Sequence, residues 1–68
     1  MLHNLIYEIA INKIKKKEIA EALGIDEKTL RLKLDGTRQF KANEMMMLKD
    51  TFFPEKTLDY LFDIKESA

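Results

Sequence analysis

The 68-residue chain predicts a single all-α domain, residues 1–68, built from five short helices. Three features of the sequence lead there. Apolar residues recur at three- and four-residue spacing, the period of a helix with one buried face. Between those stretches stand residues that end helices (Gly24, Gly36, Pro54) and residues that begin them (Asp26, Thr57). There is no cysteine, so no disulfide framework and no thiolate metal site are available, and 46% hydrophobic residues must supply the core.

Leu2, Leu5, Ile6 and Ile9 predict a first helix over residues 2 to about 12, ended by Asn12 or Lys13. "KKEIAEAL", residues 16–23, predicts a second, with Ile19, Ala20 and Leu23 on one face and Gly24 as its stop, because glycine takes the positive φ that a helix C-terminus requires. The next stretch, "TLRLKLDG", is ambiguous. Alternating leucines that run into Asp-Gly are a hairpin signal. The returning arm "TRQFK" offers only Phe40 to pair, however, while Leu30 and Leu34 stack at i and i+4, Ile25 lies just ahead, and Asp26 is a good N-cap. The helix wins, with Gly36 after its end. "ANEMMMLKDTFF" from residue 42 places Ala42, Met45, Leu48, Lys49 and Phe52 at helical spacing, and Pro54 ends that helix. Thr57 caps a short last helix in which Asp59 suits the N-terminal dipole and Leu58, Leu61 and Phe62 pack inward.

Net charge is zero but unevenly spread. Residues 1–41 carry nine Lys/Arg against six Asp/Glu, and residues 42–68 carry three against six, which points to an anionic partner for the first part. No apolar run approaches the roughly 18 residues of a membrane span, and the N-terminal charges follow the apolar residues instead of preceding them, so no signal peptide is expected. With the absence of cysteine, this leads to an expected cytoplasmic location. Enzyme chemistry is not expected: the one histidine, His3, and the one serine, Ser67, stand at opposite ends, and the carboxylates are scattered along helix surfaces. No metal, cofactor or small-molecule ligand is expected. Met45, Met46 and Met47 cannot share one helix face and read as gap-fillers. "KIKKK", residues 13–17, is a basic run adjoining the start of the second helix.

The informative constellation is "KEIAEALGIDEKTLRLKLDG": a helix, a glycine turn and a helix, with small Ala20 at the crossing and Leu30 locking the second onto the first. This motif, about residues 16–36, resembles that of the lambda-repressor and Cro-like helix-turn-helix regulators, especially small phage versions from Gram-positive bacteria. "TRQFKANEM" is similar to the family's loop into helix four, and "FFPEKTLDYLF" to its ending. The resemblance implies a Cro/repressor-type transcriptional regulator that binds double-stranded DNA as a homodimer. It implies that Glu27, Lys28, Arg31 and Leu32, at the front of helix three, read bases in the major groove, and that Lys16, Lys17 and Arg38 contact phosphates. Two departures are visible. Lys15 and Lys41 stand where the family caps helices two and four with Ser or Thr, although Glu44, the second cap's partner, is in place. A basic residue at either place, Lys41 included, can serve as a phosphate contact.

Leu32 lies roughly 200° around a helix from both Leu30 and Leu34. Two readings stay open: an exposed leucine, covered in part by the loop, or a side chain that touches a thymine methyl on the DNA-facing surface. Near the C-terminus Leu58, Tyr60, Leu61, Phe62 and Ile64 exceed what one short helix can turn inward, so a second copy is expected to cover some of them. The rival to DNA binding is a protein-binding module on the same scaffold, such as an antirepressor acting on another regulator.

Overall fold

The computed structural model describes residues 1–63. Among them the chain forms five α-helices and no strand: α1 (His3–Ile11), α2 (Lys16–Leu23), α3 (Glu27–Asp35), α4 (Ala42–Phe52) and α5 (Leu58–Phe62). "TLRLKLDG" is thus helical, and the predicted boundaries lie within a residue or two of the observed ones. The reason is local. The Asp26 carboxylate accepts the Thr29 N–H at 2.9 Å, and the Thr57 hydroxyl accepts the Tyr60 N–H at 3.1 Å, each supplying a partner that the first helical turn lacks.

Three helices end in the same way. After α2, Gly24 adopts φ 71°, the Gly24 N–H donates to the Glu21 carbonyl and the Ile25 N–H to the Ala20 carbonyl. After α3, Gly36 adopts φ 89°, with N–H groups of Gly36 and Thr37 donating to Lys33 and Leu32 carbonyls. Both are left-handed caps of the kind glycine favours. The third is at Lys13, φ 56°, whose N–H reaches Ala10 while Ile14 N–H reaches Ile9. A non-glycine residue here costs conformational energy. The next residue, Ile14, packs against the core.

The core is one cluster drawn from every helix: Leu5 and Ile9, Ile19 and Ala20, Leu30 and Leu34, Leu48, Phe53, Leu61 and Phe62. α2 packs on both α3 and α4, while α5 closes against α1 and α4. Leu2 N–H donates to the Leu34 carbonyl, tying the start of the chain to the end of α3.

Several expectations need correction. Phe52 ends α4 half-buried against the core, as its helical spacing allows, but Phe53, which no expectation singled out, takes the fully buried position. The chain leaves helical geometry at Phe53 (φ −134°), which swings that ring inward just ahead of Pro54. Leu61 and Phe62 are buried within the chain, as the inward face of the last helix predicts, and are therefore not available to a second copy. Leu58 and Tyr60 stay half-buried, and Ile64 lies outside the described residues. The carboxylates are not all surface groups either. Glu8 is buried, accepting the Tyr60 hydroxyl at 2.8 Å and an Asn12 side-chain N–H at 3.3 Å, with Lys56 Nζ 3.8 Å away. Glu44 is buried as well. Met45 is half-buried whereas Met46 and Met47 are exposed, as three successive residues on a helix must diverge.

Candidate nucleic-acid interface

α3 has two dissimilar sides. One buries Leu30, Lys33 and Leu34 against the core. The other leaves Lys28 and Arg31 exposed and Glu27 and Leu32 half-buried. All four residues expected to read bases stand on this one short helix. The three-residue turn from Gly24 to Asp26 joins it to α2, and nearly buried Ala20 lets the two helices approach. Lys16 and Lys17 are exposed in the first turn of α2. Arg38 is exposed in the loop after α3, and Lys41 at the N-cap of α4.

Glu27 and Arg31 are not independent. Arg31 Nη2 donates to Glu27 Oε2 at 2.8 Å, an i,i+4 ion pair in which the arginine side chain is 63% exposed and the glutamate 42%. Just ahead of them Asp26 serves as a cap, and hydrogen bonding by Thr29, through side chain and amide, holds its carboxyl below the usual range. The N-terminal end of α3 therefore carries two acids already engaged by the helix itself.

Leu32 falls between its two readings. It is half-buried, and its carbonyl accepts N–H groups from Thr37 and Arg38 at 3.0 and 3.2 Å, which folds the loop back over this part of α3. The same two bonds position the Arg38 backbone.

The residue that sequence reasoning missed is Lys33. Its stem takes an inward position on α3, and its ammonium donates to Glu44 Oε1, both side chains being less than a tenth exposed. The same oxygen accepts the Lys41 N–H at 2.9 Å. The ammonium also lies 5.9 Å from the centre of the Phe40 ring, and Phe40 meets Phe62 edge-on at 5.2 Å. One carboxylate thus stitches α3, the loop and the start of α4 together. Burial would raise the Glu44 carboxyl, but the bonds from Lys33 and Lys41 and the two lysine charges outweigh burial, so its pKa is lowered. The signal was present in the sequence, since a lysine three residues after Leu30 falls on the core stripe, and a buried lysine demands a partner. Lys41, lacking an acceptor, cannot complete the capping box that Glu44 begins. Its ammonium remains exposed.

Beneath the loop lies a cavity of about 320 Å³, walled by Leu2, Phe40, Met45 and Phe62 and rimmed by Arg38 and Gln39. Among the described residues no group of acids or histidines is arranged to hold a metal ion, and no helix is long and apolar enough to cross a membrane. His3 is exposed. Searches for relatives return no matching family model, no matching curated protein and no matching solved structure.

Proposed function

We propose that this chain is a sequence-specific DNA-binding transcriptional regulator of the Cro/repressor type, acting in the cytoplasm, with α3 laid in the major groove. The observation that supports it is the division of α3: leucines on one side hold it to the core while Lys28 and Arg31 are exposed on the other, with Lys16, Lys17, Arg38 and Lys41 exposed on the neighbouring elements. Arginine and lysine on such a helix donate to guanine O6 and N7, and cations on both flanks meet phosphates. The chain measures 24 × 20 Å across its shorter axes. It therefore presents one reading helix to one half-site, and a two-fold pair would set two such helices about 34 Å apart over successive major grooves.

A second reading is favoured by the neutral net charge, the acidic second part of the chain and the acids Asp26 and Glu27 at the front of α3: the scaffold binds another protein, as an antirepressor does. Fluorescence-polarisation titration of labelled duplexes, selected from a randomised pool, at two salt concentrations separates them. A steep loss of affinity with salt supports DNA binding. No binding at the lower salt removes it and leaves the second reading, and sedimentation of the DNA complex counts the copies.

A further inference from the structure

Arg31 and Glu27 were both expected to reach bases, yet each already has a partner in the other. We propose that Glu27 is the positioning residue for Arg31 and a brake on binding to wrong sequences, and that it is not itself a base reader. This rests on the DNA-binding reading above. Three observations carry it. First, the arginine side chain stays 63% exposed while it is paired, against 42% for the glutamate, so the guanidinium is open to an incoming base while the carboxylate holds it. Second, the bond uses one N–H of Nη2, and a guanidinium has five donors, which leaves a fork for guanine O6 and N7. An arginine restrained in this way has lost part of its rotamer freedom before it meets a base, which lowers the cost of the contact. Third, Glu27 is the first residue of α3, following the Asp26 cap. A carboxylate there is favoured by the unpaired N–H groups of the first turn and needs no cytosine to stabilise it.

The brake follows from the same geometry. A free arginine on an exposed helix is attracted by any phosphate, whereas a paired one is locally neutral. Only a duplex that offers a guanine at the right place recovers a contact for the remaining fork, so Glu27 disfavours scrambled DNA more than the right sequence.

The test uses the full chain. Duplexes are selected from a randomised pool by the wild type, and the enriched duplex, its single-base-pair variants and a scrambled duplex are then titrated with wild type, Arg31→Ala, Glu27→Gln and the double variant. Arg31→Ala should lose about 5- to 150-fold of the preference at one base pair. Glu27→Gln should lose several-fold at that same base pair while binding the scrambled duplex about twofold tighter, the fold-equivalent of an i,i+4 pair. The double variant should behave as Arg31→Ala alone. Arg31 is exposed and Glu27 half-buried, so Glu27→Gln, which loses the pair and the first-turn charge together, should shift the melting temperature by no more than about 10 °C, and the specificity change is then not a folding defect. Preference unchanged in Glu27→Gln overturns the inference and leaves the pair as a helix-surface contact. Preference lost at a different base pair also overturns it and makes Glu27 a reader. A wild type that enriches no duplex overturns the DNA-binding reading and the inference with it.

Discussion

Replacing Glu44 by alanine should destabilise the protein far more than its place on a charged-looking segment suggests. The carboxylate is nearly buried and answers two donors, Lys33 Nζ and the Lys41 N–H. Its removal leaves an ammonium beside the core with only the Phe40 ring for company. Breaking one side of a buried pair costs about 3–5 kcal/mol because the other charge is orphaned, a large part of the roughly 5–15 kcal/mol a whole domain possesses. Lys33→Met is the informative counterpart. Methionine matches the lysine stem in length, and Glu44 keeps the Lys41 N–H and its place in the first turn of α4. That variant should lose about 1.5–3 kcal/mol, the scale of a hydrogen bond to a charged group. Lys33→Met with Glu44→Leu removes both charges and should cost less than Glu44→Ala alone. Urea unfolding at pH 7, followed by circular dichroism, measures all three. A Glu44→Ala cost below about 1 kcal/mol, typical of exposed pairs, or a double variant more costly than Glu44→Ala alone, refutes the reasoning. The pH dependence has a definite sign. The folded Glu44 carboxyl titrates below its ordinary value of 4.5, so its contribution is full above that pH and fades as pH falls through the folded value. Glu44→Gln should flatten this part of the acid limb, though not all of it, since Asp26 is lowered too.

Alanine at Lys16, Lys17 or Arg38 should weaken binding to all duplexes alike and lower the salt slope by about one unit each; a variant that loses sequence preference with its slope intact counts against the phosphate assignment. Leu30→Ala should cost about 2–5 kcal/mol in thermal or urea unfolding by opening the core, and half-buried Leu32→Ala clearly less. The effect of Leu32→Ala on DNA affinity should vanish when one thymine is replaced by uracil. The hydrogen bond to Glu8 raises the Tyr60 hydroxyl pKa above its ordinary value of 10.0, so its contribution is present below that pH and lost as pH rises through the folded value. Tyr60→Phe should remove this alkaline fall from melting curves taken across pH 9–12.

What the sequence by itself determined were the helix boundaries and, for most of the apolar residues, the side of the helix that turns inward. Asp26, Thr57, Gly24 and Gly36 act on backbone groups within a few residues, and the spacing of Leu30 and Leu34 states the buried face directly. Such interactions are written along the chain and need no fold to be read. The grouping of Glu27, Lys28 and Arg31 on one helix front was legible for the same reason. Tertiary structure decided the rest. The core stripe already holds Lys33, but which carboxylate answers it, Glu44 eleven residues on, is decided by packing, as the burial of Glu8 is by Tyr60, fifty-two residues on. The inward turn of Phe53 and the half-burial of Leu58 depend on where the chain leaves α4 and how α5 closes on α1 and α4. A charge is stabilised by whatever stands within a few ångströms, and that neighbour is chosen by packing, not by position along the chain.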